Sequence, residues 1–235
     1  MHVILIPGFW LDASSWDRVS PILERAGHDP HPLTLPGLES RDTDRSTITL
    51  RDHVDAVIDV VDSIAAEGKV VLVGHSGGGA VAHAVVDARP ERVARAIYVD
   101  SVPLGDGDCI NDELPAENGE VPLPDWSVFD AEDLVDLDET LREQFRARAI
   151  PTPVHVASDA QRLSDERRHD VPMTVIACEF SAAQLSQWMD GKVPFVAELA
   201  TMRNVDYVDL PTGHWPQFTR PEQLGQAIVA SIARD

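Results

Sequence analysis

Gly74-His75-Ser76-Gly77-Gly78 sets one serine among small residues, directly after the apolar run Val70-Val71-Leu72-Val73 and directly before a helical pattern. This spacing, G-x-S-x-G, suits a strand that turns sharply into a helix and holds its serine in a strained conformation. Small residues two before and two after the serine let strand and helix pack that closely. The hydroxyl then stands exposed above the carboxyl end of the strand, and the helix N-terminus behind it offers positive potential to a developing oxyanion. The chemistry is nucleophilic attack on a carbonyl.

Such a serine needs a base, and the sequence holds nine histidines. His214, in VDLPTGHWPQFTRPEQL, lies just beyond the last strand pattern and before the last helix pattern, so it reaches the same sheet edge late in the chain. His2, His28, His31, His53, His155 and His169 have no such placement and read as surface or core residues. His83 is expected to face out from the helix after the serine as a packing residue. His75 is expected to support the turn and to stand on the substrate side of it. The base needs an orienting carboxylate. Asp100 closes the strand pattern AIYVD one strand beyond the serine, and Glu179 follows the later strand in MTVIACEFSAAQ; Asp100 is the first choice and Glu179 the alternative. Two backbone N–H groups are needed for the oxyanion. Gly77 supplies one, and the loop PGFW after the first strand supplies the other, through Phe9 with Trp10 as its neighbour. Trp10, Trp126 and Trp215 are expected to wall the substrate pocket together with His75. No metal or cofactor is required.

The elements that must position these groups alternate along the chain. Strand patterns cover His2–Ile6, 30–35, 69–73, 94–100, 172–178 and 205–210; helical patterns cover 15–26, Leu50–Ala66, Gly77–Ala88, Ala182–Asp190, 194–202 and 221–233. Several strands are continuous apolar runs, as in parallel strands covered on both faces. The pattern predicts an α/β fold with a mostly parallel six-stranded sheet and helices on both faces. Residues 1–102 and 171–235 form its core, and 103–170, rich in proline and acid and without a convincing strand, is a lid or cap insertion. Within it Trp126, Phe129, Leu134, Leu137, Leu141 and Phe145 either line a pocket or form the insertion's own small core.

Composition narrows the function classes. The chain of 235 residues is 43% hydrophobic and 25% charged, with a formal net charge of -21. That charge argues against nucleic acid, anionic membranes and polyanionic substrates. Two cysteines, Cys109 and Cys178, give no disulfide framework or zinc site. The start MHVILIPGFW reads as a strand rather than a leader, no apolar stretch has the length of a membrane span, and the expectation is a reduced, cytoplasmic protein. One rival is a nucleotide binder: Gly74-x-Ser76-x-x-Gly79 resembles G-x-G-x-x-G, and Asp100 lies where a ribose-binding acid would stand. The middle glycine is missing, the motif follows the third strand rather than the first, and His214 is left without a role.

Taken together, these residues resemble the α/β-hydrolase family, and most of all its short members related to plant methyl-ester esterases and hydroxynitrile lyases. The opening, the turn at Ser76 and the segment around His214 match in order. The resemblance implies the α/β-hydrolase fold with a lid insertion, a Ser-His-Asp triad and a small-molecule ester, lactone or thioester substrate. Pro7-Gly8 stands where the family often has His-Gly, which leaves the backbone donor in place. Haloalkane dehalogenases carry the acid one strand earlier than usual, and Asp100 matches that position; their aspartate nucleophile, shared with epoxide hydrolases, is excluded by Ser76. Hydroxynitrile lyases have a lysine after the histidine and a threonine in the first loop, where this chain has Trp215 and Gly8, which argues against cyanohydrin cleavage. The same scaffold also hosts ligand-binding proteins without turnover and other lyases, and these stay as alternatives.

Overall fold

The computed structural model describes residues 1–64 and 68–234. Among the described residues eight strands follow: β1 (His2–Ile6), β2 (Asp29–Pro32), β3 (Val70–His75), β4 (Val93–Val99), β5 (Glu120–Val121), β6 (Thr152–Pro153), β7 (Met173–Ala177) and β8 (Val205–Asp209). The helices are α1 (Ser20–Arg25), α2 (Leu50–Ile64), α3 (Gly77–Ala88), α4 (Glu139–Arg148), α5 (Val154–Ser158), α6 (Ala182–Asp190), α7 (Pro216–Thr219) and α8 (Pro221–Ile232). Six strands make one sheet in the order β2-β1-β3-β4-β7-β8, and every neighbouring pair is parallel. Parallel pairing forces a crossover after each strand, and the crossovers cover both faces.

Successive side chains on a strand point to opposite faces, so one sheet divides its apolar residues between two cores. Val3, Leu5, Val71, Val73, Ile97, Val99 and Ile176 pack with Trp16, Leu23, Leu224 and Ile228, on the side of α1 and α8. Ile4, Ile6, Leu72, Ala96, Tyr98 and Val175 face the other way, onto α2, α3 and the insertion. Helix α2 shows why it docks: Leu50, Val54, Val57, Ile58 and Val61 recur at helical spacing and are all buried.

Several elements differ from their sequence reading. The strand expected over 30–35 ends at Pro32. It is the sheet's edge, where Pro30 and Pro32 have no N–H to give, and after Leu33 donates to the Leu5 carbonyl (3.0 Å) the chain leaves the sheet. The single helix expected over 15–26 is a 3-10 turn at Ala13–Trp16 followed by α1, which restarts with Pro21 in its first turn. The helix expected over 194–202 is two short 3-10 turns, Pro194–Val196 and Leu199–Thr201. For the helix expected over Leu50–Ala66, positions Ala65 and Ala66 lie outside the described residues, as does residue 235 of the core segment. Segment 103–170, expected to hold no convincing strand, does contain the antiparallel pair β5 and β6, each two residues long.

Segment 103–170 is tied to the rest of the chain at several points. Trp10 donates its N–H to Thr152 Oγ1 (3.0 Å) and accepts at its carbonyl from Ile150 N–H (3.0 Å). Gln161 donates from its side chain to the Ala80 carbonyl (2.9 Å), and Arg168 pairs with Asp87 (3.3 Å), both on α3.

Candidate active site

Ser76 sits between β3 and α3 with φ 51° and ψ −125°, a conformation that costs a residue with a β-carbon and persists only when its surroundings impose it. Here they do. Ser76 N–H donates to the Val99 carbonyl (3.1 Å), and its own carbonyl accepts from Gly79 N–H (2.8 Å) and Ser101 Oγ–H (2.9 Å). The flanking glycines are required by contact. A β-carbon on Gly74 would meet the Gly78 carbonyl and lie 2.7 Å from Gly79 Cα, and one on Gly78 would lie 2.5 Å from the Pro7 carbonyl oxygen.

His214 is held from the backbone side. Its N–H donates to the Asp133 carbonyl (2.8 Å), Gly213 N–H donates to the Val135 carbonyl (3.1 Å), and the His214 carbonyl accepts from His75 Nε2–H (2.7 Å). Its ring lies between the two other groups: Nε2 is 2.8 Å from Ser76 Oγ, and Nδ1 is 2.7 Å from Asp100 Oδ2. A carboxylate can only accept, so Nδ1 carries a proton, and in the neutral imidazole the Nε2 lone pair faces the serine hydroxyl. Asp100 has φ 47°, its N–H donates to the Ile176 carbonyl (2.8 Å), and its second oxygen, Oδ1, accepts from Cys178 N–H (3.0 Å) and Glu179 N–H (3.1 Å).

Glu179 stands beside this line rather than in it, with Oε2 3.4 Å from His214 Nδ1. Burial alone would lower the proton affinity of His214, but the Asp100 hydrogen bond and then the neighbouring Glu179 carboxylate outweigh it and hold the imidazole well above its ordinary value. Asp133 faces Glu179, and burial first, then the hydrogen bond to that carboxylate, pushes its carboxyl up. Asp100, Glu179 and His214 bring three donor atoms within 4.8 Å of one another; His214 Nδ1 gives its hydrogen to Asp100 Oδ2, and Glu179 Oε2 is buried beside them.

Two cavities meet at Ser76. The larger, about 440 Å³, runs past Val102, Leu104, Phe180, Phe195 and Glu198; the smaller, about 240 Å³, runs past Phe9, Trp10, Leu114, Phe129 and Asp133. Ser76, Ile110, Glu179 and His214 border both. Gly77 is the first residue of α3, so no helical carbonyl reaches its N–H. The Phe9 ring lies against Gly77, close enough that a β-carbon there would be 2.8 Å from Phe9 Cε1. Trp10 N–H is taken by Thr152, whereas Phe9 N–H has no acceptor among the described residues.

The residues expected to wall the pocket are split. Trp10 borders the smaller cavity and donates its indole N–H to the Val121 carbonyl (3.1 Å). Trp126 and Trp215 border neither: their rings meet edge to face at 5.8 Å within a cluster that takes in Phe129, Phe145 and Phe218. Trp215 is buried behind the site, its ring edge to face with that of His214 at 5.1 Å. His75 also borders neither cavity. It is buried, which pushes its proton affinity down to about 3, and it braces His214 from behind while Gln217 Nε2–H donates to its Nδ1 (3.2 Å). His83 does not face out: it is fully buried, accepts from Tyr98 O–H at Nδ1 (2.8 Å) and donates from Nε2 to Glu198 (3.1 Å). Phe195 lies in the short 3-10 turn Pro194–Val196, Glu198 just before the next one and Asp133 in a turn, and no sequence signal marked them as cavity residues.

A model described as the alpha/beta hydrolase family matches residues 3–227. The chain belongs to the alpha/beta hydrolase family. Among curated proteins it is similar to the putative methylesterase 14, chloroplastic, of Arabidopsis thaliana, at 33% identity over 47% of this chain and 33% of that protein. It is similar to the polyneuridine aldehyde esterase of Rauvolfia serpentina at 33% identity over 43% of this chain and 39% of that one. The aligned stretch therefore spans well under half the length of either relative. Among solved structures, an Arabidopsis methylesterase shares the fold with a TM-score of 0.78 at 17% identity, over 99% of both chains. Among the described residues no helix is long and apolar enough to cross a membrane.

Proposed function

We propose that this chain is a serine hydrolase that cleaves a small to medium carboxylic ester, lactone or thioester through an acyl-enzyme. One observation carries the reading: a nucleophile, a base and an acid in hydrogen-bonding line, Ser76 Oγ to His214 Nε2 at 2.8 Å and His214 Nδ1 to Asp100 at 2.7 Å, opening onto a cavity. His214 takes the Ser76 proton as Oγ attacks the carbonyl carbon. The oxyanion is met by the N–H groups of Phe9 and Gly77, and Asp100 stabilises the imidazolium. His214 then gives its proton to the leaving alcohol or thiol. Water, deprotonated by His214, attacks the acyl carbon, releases the acid and returns the proton to Ser76. The insertion over the site restricts which substrates enter, and names of relatives such as methylesterase point the same way.

The test is hydrolysis of p-nitrophenyl esters of increasing acyl length, with Ser76→Ala as the comparison and a fluorophosphonate probe on both proteins. The expected result is turnover and labelling that vanish together in a folded Ser76→Ala variant. Ester hydrolysis that survives the substitution, or a folded wild-type protein that neither turns over nor takes the probe, overturns the reading.

A further inference from the structure

At the opposite end of the sheet from Ser76, strands β1 and β2 pair with His2 in register with Asp29. Three side chains converge there. His2 Nδ1 lies 2.9 Å from His31 Nε2 and 3.0 Å from Asp29 Oδ2, and His31 Nε2 lies 3.3 Å from the same oxygen. The three atoms form a closed triangle, and protons do not satisfy all three of its sides. If both nitrogens donate to the carboxylate, two N–H groups face each other across the shortest side. If one imidazole donates to the other, the acceptor nitrogen's lone pair is spent and its contact with the carboxylate lacks a hydrogen. A cation set over the triangle accepts one lone pair from each atom and removes the conflict.

We propose that His2, Asp29 and His31 form a binding site for a divalent first-row transition metal such as zinc. The sides of 2.9, 3.0 and 3.3 Å match the ligand-to-ligand spacing of one face of a coordination shell whose bonds are about 2.0–2.2 Å long. Two imidazoles and one carboxylate favour zinc, cobalt or nickel over magnesium or calcium, which prefer all-oxygen shells. The triangle is partly open to solvent, so water completes the shell. The metal ties the edge strand β2 to β1, far from the reacting groups, and its role is to hold the sheet's edge rather than to act on substrate. Because it lies outside the candidate active site, the proposal stands independently of the hydrolase reading.

The experiment uses the full, untagged chain, stripped with chelator and dialysed. Zinc chloride is titrated by calorimetry at pH 7.5, magnesium chloride is the control, and thermal unfolding is followed with and without zinc. The expected result is one equivalent of zinc bound, no magnesium binding, and a melting temperature raised by roughly 5 °C or more near saturation. His31→Ala and Asp29→Asn, on an edge strand and partly exposed, should each weaken zinc binding at least about tenfold and remove the thermal shift. No zinc binding by the folded wild-type protein overturns the proposal. So does zinc binding that is unchanged in His31→Ala, which assigns it to the acidic surface, or binding lost in Glu179→Gln but kept in His31→Ala, which assigns it to the candidate active site.

Discussion

Replacing Asp100 by asparagine should cripple the protein without unfolding it, and the structure says why. Oδ1 accepts two backbone N–H groups, from Cys178 and Glu179, so the amide oxygen must take that place. The amide nitrogen is then left where Oδ2 stands, 2.7 Å from His214 Nδ1. An amide NH2 can only donate, so Nδ1 must turn to its lone pair and the ring proton moves to Nε2. A protonated Nε2 takes no proton from Ser76. The backbone at φ 47° suits asparagine as well as aspartate, so the fold is kept. The same tautomer inversion in a serine protease costs about 10⁴ in kcat, or roughly 5.5 kcal/mol. Glu179, whose Oε2 is 3.4 Å from Nδ1, offers a competing acceptor, which places the loss at about 10²–10⁴. The assay is kcat/KM on a p-nitrophenyl ester from pH 6 to 10, beside circular dichroism and beside Glu179→Gln. A folded Asp100→Asn protein within about tenfold of wild type refutes the tautomer argument. Crippling by Glu179→Gln instead moves the acid role to Glu179. Because Asp100 and Glu179 hold the His214 pKa above its ordinary value, the lone pair appears only as pH rises past that raised value. The rate should therefore climb with pH to a midpoint above 6.5, and Glu179→Gln should lower that midpoint.

Three further outcomes follow from burial and contact. His53 and His75 are buried neutral, with proton affinities pushed down to about 4 and about 3, while both take protons near 6.5 once unfolded. Their stabilisation is complete above pH 6.5 and is lost as pH falls toward the folded values; between pH 6.5 and 5 the two together should cost on the order of 3 kcal/mol. Thermal melts should show a fall of roughly 10 °C over that interval, and a flat profile would contradict the assignment. Trp215→Ala empties the centre of an aromatic cluster whose neighbouring rings lie 5.2 to 5.8 Å away, and should destabilise by about 3–5 kcal/mol in urea unfolding. Gly78→Ala forces a β-carbon to 2.5 Å from the Pro7 oxygen and 2.6 Å from the Ile6 oxygen; the backbone must part, with a loss of about 1–3 kcal/mol by the same measurement.

Much of this arrangement was legible because it depends on local pattern. The apolar runs of β1, β3 and β7 fix strands by composition, and the glycines around Ser76 announce a turn that the contacts at Gly74 and Gly78 require. What was not legible depends on distant parts of the chain. Whether Asp100 or Glu179 faces His214 Nδ1 turns on the 3.0 and 3.1 Å bonds that lock Asp100 against the next strand, which no local pattern encodes. Trp215 beside His214, and Trp126 among the aromatics of segment 103–170, are each ambiguous in sequence between pocket wall and core; their mutual packing decides for core. Glu198 lay hidden within an expected helix that proved to be two turns.

The pairing of Ser76 with His214 spans 138 positions, and that of Asp100 with His214 spans 114. A ribosome making this chain delivers the nucleophile and the acid long before the base. Until residue 214 emerges and its loop docks on the sheet, the nascent polypeptide carries a serine with nothing to ionise it. Chains abandoned during translation, or clipped before residue 214, are chemically silent on the proposed reading. On that reading reactivity arrives only once residue 214 has emerged, after the segment 103–170 that borders the site has already been made.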